Sequence, residues 1–544
     1  MRWRWLGVPY GSRAVASAAA VVVVAGLSAG CLLPPGEPVV PSPAPPADAA
    51  WIDVRLDPST TRAIVPAEAF GIHTSVEDNH LTDAPVATLL QGAGITVLRY
   101  PGGGYADRYH WADRENSALR ASSDRGHLAP RIDFGSFVGL VSRTAGARPM
   151  ITVNDGSDRT GQRGGEPEEA AAWVAYCNGS PSSAQPIGAG ADGRDWHSVG
   201  YWASLRAARP LVADDGMNFL RVGHPAPLGY ELWEIGHEVF GNGDDGGSGS
   251  SEDAHGPHES DPTAVDAVRK GNALLSPSAY GRNVRAFAGA MRAVDPKVQI
   301  GVVLDTPPMD DAWGPGWNPS VLDAACDEAD FASVHWRAGG LAPPDGKEAD
   351  EASVLAAPGK DAPRIGEALR RLFKDHCGEA KRARFAVTEL GAHGHLPDRA
   401  VETLFAADAY VALLEQGAFN VDWLELHDGS FLDDLNARGP AYAGIEMVHR
   451  LVRPGDALVA VTAEPNSIAV HAARRANGSF AILLVNGDPK RTAAVRLSAG
   501  GAPLPAVTQR YDCSGAEGPI LASATPAAGA PVTVAPRAMT ILIL

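Results

Sequence analysis

Between Ala69 and Val452 short apolar runs alternate with longer stretches of helical spacing, and this rhythm restricts the chain to a parallel α/β architecture. The runs are Phe70–His73, Thr96–Arg99, Pro149–Val153, Glu231–Ile235, Gln299–Leu304, Phe331–His335, Phe385–Thr388 and Val421–Leu426. Eight parallel strands over this length predict a closed (β/α)8 TIM barrel, with insertions. A doubly wound open sheet would carry a glycine-rich phosphate turn after its first strand, and Gly71-Ile-His-Thr-Ser75 supplies none. Helices are expected from Glu166 to Cys177, stopped by Asn178-Gly179, from Ser278 to Val294, and from Pro440 to Val452.

After Arg453-Pro454-Gly455 the grammar changes. Ser467–Arg474 and Ser479–Asn486 are β-type runs joined around Asn477-Gly478, a hairpin signal. Val495–Leu497, Val532–Val534 and Met539–Leu544 add short strands without helices, which predicts a C-terminal β-sandwich over 453–544. Trp51–Leu56, within the segment 51–68 that precedes the barrel of 69–452, is expected to add a strand to it. At 544 residues, two domains and a tail are the natural division.

The tail reads as a targeting segment. Arg2, Arg4 and Arg13 precede an apolar run, Ala14–Gly26, too short to span a bilayer comfortably. It ends in Leu27-Ser-Ala-Gly-Cys31, which resembles a bacterial lipobox, with Ser28 where leucine is preferred. Residues 1–31 are therefore expected to be a lipoprotein signal peptide, with Cys31 lipidated; ordinary secretion is the alternative. The segment 32–50 carries seven prolines from Pro34 to Pro46 and reads as an extended linker holding the protein off a membrane. The expected location is the bacterial cell envelope, exported and lipid-anchored.

A formal net charge of −18 argues against nucleic acid and against a basic membrane-surface helix. Cys177, Cys326, Cys377 and Cys513 show no CxxC spacing, and Cys326 with Cys377 is the pair considered for a disulfide. The insertion after Glu238 contains Asp244, Asp245, Asp253, His255, His258 and Glu259. Their spacing fits no calcium loop or zinc pattern, so the insertion is expected to be a solvated rim loop.

Chemistry is expected where Glu238 follows the fourth run and Glu389 the seventh. A carboxylate at the carboxyl end of a barrel strand points into the face where such barrels react. Two converging carboxylates are the minimum for cleaving a glycosidic bond. Arg99 opens Arg99-Tyr-Pro-Gly-Gly-Gly104, whose glycines allow a sharp turn beside a ligand; Arg99 either orients a carboxylate or cross-links the interior. His335 ends the sixth run and is read as a contact to the nucleophile or a sugar hydroxyl, against the alternative of a satisfied core histidine. Trp423 and His427 are expected to give a stacking floor and a hydroxyl contact, and Asn154 ends the third run. Glu234 lies within the fourth run, where a structural role is one reading.

Arg99-Tyr-Pro-Gly-Gly, Trp173-Val-Ala-Tyr-Cys-Asn-Gly179 and Trp233-Glu-Ile-Gly-His-Glu238 together resemble the retaining α-L-arabinofuranosidases, family 51-like members of the barrel glycosidase clan A. The resemblance implies that Glu238 is the general acid/base and Glu389 the nucleophile. A carboxyl separation of ~5–5.5 Å would then let ionised Glu389 raise the pKa of Glu238. Two positions depart from the pattern. His237 stands where the clan usually has the asparagine that holds the sugar 2-hydroxyl, and Gly104 stands where the arabinofuranosidases usually have asparagine. Both touch substrate contacts and spare the carboxylates. The expectation is a retaining glycoside hydrolase on arabinose-bearing poly- or oligosaccharides, without cofactor or metal. The alternatives are a β-xylosidase, β-glucosidase or glucuronidase on the same fold, or a non-catalytic glycan-binding lipoprotein.

Overall fold

The computed structural model describes residues 50–113, 132–161, 163–241, 275–307, 316–338, 350–379, 381–392, 396, 398–463, 468–500, 502–515, 518–522 and 525–544. The targeting segment with Cys31, the proline-rich stretch up to residue 49 and the acidic insertion from Asp244 to Glu259 lie outside them. Among the described residues no helix is long and apolar enough to cross a membrane.

After a first strand, β1 (Ala50–Ile64), eight parallel strands close into a barrel in chain order. They are β2 (Phe70–His73), β3 (Val97–Tyr100), β4 (Arg148–Val153), β5 (Leu232–Ile235), β6 (Gln299–Val303), β7 (Phe331–Ala338), β8 (Phe385–Ala392) and β9 (Ala418–Trp423). Helices on the outside include Pro167–Asn178, Pro277–Val294, Glu351–Cys377, Arg399–Glu415 and Pro440–Leu451. Glu166 and Ser276 sit at N-caps with proline in the first turn, a start that costs no hydrogen bond because the first helical N–H groups are unpaired anyway. The last helix turn before β7 is tied to the long helix by a disulfide between Cys326 and Cys377, with Cα atoms 5.5 Å apart.

The two-residue period of the strands layers the barrel interior. Val97, Met150, Leu232, Phe331, Ala386 and Phe419 form an apolar floor. One period further up come Arg99, Thr152, Glu234, Ser333 and Thr388, polar and buried. Between Val334/Val387 and His335/Glu389 the β7–β8 register slips by one residue. This bulge brings the consecutive side chains Thr388 and Glu389 both to the inside, since Thr388 bonds Ser333 and Glu389 meets Arg99.

The carboxyl-terminal strands are β10 (Ala457–Thr462), β11 (Ala469–Arg474), β12 (Phe480–Asn486), β13 (Ala493–Ala499), β14 (Ala502–Pro503), β15 (Gln509–Cys513), β16 (Ile520–Leu521), β17 (Val532–Val534) and β18 (Ala538–Ile543). With β1 they make one mixed sheet of ten strands that curls into a sandwich-like body. β1 lies in its middle, antiparallel to β10 and parallel to β13. In β12 the alternation divides a nearly continuous apolar run. Ile482 and Leu484 face the sandwich core with Ile52, Val54 and Val495, while Ala481, Leu483 and Val485 join the core shared with the barrel. A strand buried on both faces needs such a run.

A buried ion cluster pins the two layers. His471 on β11 is bonded through Nδ1 to Glu415 (2.9 Å) and through Nε2 to Asp408 (2.8 Å), both on the barrel helix Arg399–Glu415. Burial pushes its pKa down, but the charge of Glu415 and the bonds to both carboxylates outweigh this and raise it to about 10. A folded pKa above the unfolded value contributes stability that is full below ~6.5 and lost as pH rises through the folded pKa. We therefore expect the melting temperature to fall between pH ~7 and ~10 more steeply in the native protein than in His471→Gln. Parallel curves for the two proteins would show that His471 carries no such linkage.

Candidate active site

At the carboxyl end of the barrel, side chains from β2, β3, β7 and the turn after β5 converge on Glu389 of β8. Its Oε1 accepts from Arg99 Nη1 (3.2 Å) and contacts His237 Nε2 (2.9 Å), with His73 Nδ1 at 3.4 Å. Its Oε2 accepts from Arg337 Nη2 (2.8 Å), with His335 Nδ1 at 3.6 Å. Burial alone would push this carboxyl up; the surrounding histidines and their hydrogen bonds reverse that and hold it well below the carboxylate range.

Arg99 bonds two carboxylates, Glu234 and Glu389. Its Nε donates to Glu234 Oε2 at 2.8 Å, and Glu234 is fixed further by Thr152 (2.7 Å) and by Ser333. Glu234 is thus the inner end of an Arg99-centred ion pair, wholly buried, with its pKa lowered because Arg99 outweighs the cost of burial. Arg99 Nη1 also lies 3.0 Å from His73 Nδ1. Burial pushes His73 down to about 4, so it is neutral in ordinary buffers. Beside them Asp422, buried and bonded to Asn420 (2.8 Å), is raised by burial to about 8.

Glu238 follows a tight turn. Gly236 has φ 73°, and a Cβ there would lie 2.6 Å from Val239 Cγ2. Glu238 itself has φ 42°, a left-handed conformation that costs a non-glycine residue on the order of 1 kcal/mol. Asp107 holds the turn by accepting from the backbone N–H of His237 (3.0 Å) and of Asp155 (3.1 Å). The Glu238 side chain is 25% exposed whereas that of Glu389 is 2% exposed, so Glu238 stands at the mouth and Glu389 at the bottom. One donor atom from each of His237, Glu238, His335 and Glu389 lies within 4.8 Å of the others.

The net shift at Glu238 runs opposite to the sequence expectation. Burial pushes the Glu238 carboxyl up, as does Glu389 to a smaller extent, but the bond to His335 Nδ1 (2.7 Å) and the nearby His237 prevail and lower it. His335 consequently serves Glu238 more directly than Glu389. Trp423 is not a stacking floor: it is 1% exposed and packs outward on Phe405, with ring centroids 6.2 Å apart. The alternation that points Asp422 inward forces its neighbour out. His427 is engaged at both nitrogens, by Asp78 (2.6 Å) and Asn436 (3.0 Å). Asn154 closes a turn with Ser157 (2.9 Å) beside Asp107 rather than reaching the two glutamates.

Arg337, His73 and Asp107 were not singled out in the sequence. For Arg337 a signal existed, since it lies two residues beyond His335 on one strand and shares its face. His73 likewise ends the first barrel strand. Asp107 lies in a glycine-bearing loop and offers no periodic cue.

No protein-family profile matches the chain. The Aspergillus niger probable alpha-L-arabinofuranosidase C is 30% identical over 171 residues, 31% of this chain and 26% of that one. The Bifidobacterium longum intracellular exo-alpha-(1->5)-L-arabinofuranosidase is 23% identical over 272 residues, 48% of this chain and 36% of its own. The chain thus spans only about a quarter to a third of the length of such curated relatives. Among solved structures, the Thermotoga maritima alpha-L-arabinofuranosidase in its arabinose complex matches with TM-score 0.62 and 17% identity over 91% of this chain and 99% of that one. A Paenibacillus polymyxa xyloglucanase of glycoside hydrolase family 44 matches with TM-score 0.56 and 12% identity over 91% and 100%. At these identities the likeness attests the fold: a TIM barrel carrying a sandwich-like C-terminal body.

Proposed function

We propose that this chain is a retaining glycoside hydrolase that releases α-L-arabinofuranosyl groups from arabinose-bearing glycans, with Glu389 as nucleophile and Glu238 as acid/base. The observation that carries this reading is the approach of the two carboxylates to within 4.8 Å from the ends of the fourth and seventh barrel strands. Such closeness is nearer the ~5–5.5 Å of double displacement than the ~6.5–9.5 Å of an inverting site, which supports the retaining reading. The arabinofuranosidase names of the sequence relatives support the choice of sugar.

Glu389, ionised and oriented by Arg99, Arg337 and His237, attacks the anomeric carbon. The glycosidic C–O bond breaks, and the leaving oxygen takes a proton from Glu238. In the resting site Glu238 Oε1 lies 2.7 Å from His335 Nδ1; a glycosidic oxygen is an acceptor and binds productively only when a proton sits on Glu238. Glu238, now a carboxylate, then takes a proton from the water that cleaves the glycosyl ester, and Glu389 leaves ionised.

A second reading, a glycan-binding protein without turnover, is favoured by the 2.7 Å contact that ties Glu238 Oε1 to His335 Nδ1. A screen of the protein against nitrophenyl α-L-arabinofuranoside, β-D-xyloside, β-D-glucoside and β-D-glucuronide separates the two. Release from the arabinofuranoside is expected. Release from another glycoside alone would overturn the sugar, and binding without release from any would overturn the enzyme.

We further propose export and lipid anchoring through Cys31, on the strength of Leu27–Cys31 and the arginines before it. Cys31→Ala is expected to move the protein from the membrane fraction to the soluble fraction. Unchanged sedimentation with membranes would refute lipidation.

A further inference from the structure

We propose that His237, Glu238, His335 and Glu389 also form a reversible site for a late first-row divalent cation, zinc foremost, whose occupancy shuts the barrel mouth. The proposal goes beyond the glycosidase reading and is measured without turnover. Two imidazoles and two carboxylates are a donor set suited to Zn2+. Calcium and magnesium want six or more oxygens, which this site does not offer.

The geometry is close to what the ion requires. His335 Nδ1 lies 2.7 Å from Glu238 Oε1, His237 Nε2 lies 2.9 Å from Glu389 Oε1, and the four donors fall within 4.8 Å of one another. A tetrahedral zinc with bonds of ~2.0–2.2 Å spaces its donors ~3.3–3.6 Å apart, between the two short contacts and the 4.8 Å limit. Entry of the ion would take the place of the two histidine–carboxylate contacts, His335 with Glu238 and His237 with Glu389. Glu389 keeps Arg337 on Oε2 (2.8 Å), and Arg99 remains behind Oε1, giving the carboxylate the outer hydrogen bonds that zinc ligands commonly have.

The same structure limits affinity. His237 is 5% exposed and its Nδ1 has no hydrogen-bond partner among the described residues. A ligating histidine usually donates that N–H to an acceptor, and lacking one weakens metal binding by about 10–100-fold. The ion is therefore a guest that comes and goes. While bound, it holds the lone pairs of both carboxylates and keeps Glu238 from carrying a proton.

The test is calorimetric titration of full-length, chelator-stripped protein with zinc sulfate at pH ~7. We expect one zinc per chain at pH ~7, a rise in melting temperature, and no response to magnesium. His237→Asn and Glu389→Gln, checked for native circular dichroism, should each weaken binding tenfold or more. Hydrolysis of an aryl glycoside should fall by about 90% at zinc tenfold above its Kd and recover with EDTA. Absence of heat and of any melting shift up to ~1 mM zinc would overturn the site, as would unchanged binding in both variants. Zinc binding that needs these residues, in a protein that cleaves no glycoside, would sustain the site and remove the proposed function. A glycosidase indifferent to zinc would do the reverse.

Discussion

Glu389→Ala is expected to abolish turnover of every glycoside, by ~10^4-fold or more, because no carboxylate remains to form the glycosyl-enzyme. Glu238→Ala should behave differently. A natural glycan has a poor leaving group and should slow by ~10^2–10^4-fold, the usual contribution of a general acid/base. An aryl glycoside with a good leaving group needs little protonation, so its first step should persist and the intermediate accumulate as a burst. Azide needs no general base to attack that intermediate. Added azide should therefore restore turnover and yield a glycosyl azide of retained configuration. Rescue of Glu389→Ala with inversion, and none of Glu238→Ala, would reverse the two assignments. Full activity in both variants would place the chemistry elsewhere.

The second large effect concerns folding. Arg99 is wholly buried between Glu234 and Glu389. Arg99→Met keeps much of the volume and leaves both carboxylates without their buried cation. Breaking a buried pair in this way costs about 3–5 kcal/mol, a large share of the 5–15 kcal/mol that stabilises a typical domain. The pH dependence identifies the cause. In the native protein Glu234 has a lowered pKa, so its contribution is present above its unfolded value of ~4.5 and lost as pH falls through the folded one. Without Arg99, burial raises the folded pKa, and the penalty grows as pH rises through ~4.5. The gap between native and variant protein in urea unfolding should thus be widest near pH ~7 and narrow toward pH ~4. Adding Glu234→Gln should recover part of the loss, since replacing both partners costs less than orphaning one. A gap independent of pH would mean that only packing was lost.

Strand positions were legible because period and composition agree. Phe70–His73 and Val532–Val534 coincide with the observed strands, and the other barrel strands begin within about one residue of expectation, apart from the last. That one runs Ala418–Trp423 rather than Val421–Leu426. Leu424 and Leu426 extend the apolar run past the point where the chain leaves the sheet, and Leu426 is buried in the following loop instead. The 27-residue helix Glu351–Cys377 escaped notice because Pro358 and Pro363 lie inside it, where proline ordinarily breaks a helix. Glu238 and Glu389 were reachable by counting strand ends. Their hydrogen-bond partners were not, since which of five neighbouring groups meets which oxygen depends on a bulge and on side-chain reach. The lowered pKa of Glu238 follows from one such choice, the bond to His335.

The central place of β1 has a consequence for how this chain comes into being. Asp53 and Arg496, neighbours across the β1–β13 pair, are 443 residues apart in sequence. A polypeptide that emerges amino end first presents Ile52, Val54 and Leu56 long before either flanking strand exists. Until β10 and β13 follow, that segment is an open edge with an apolar face, able to pair with a copy of itself. Closing so distant a contact is slow, and the waiting species is the one prone to misassemble. Chains stalled or clipped before about residue 490 would be expected to cluster through this strand, although their barrels are complete.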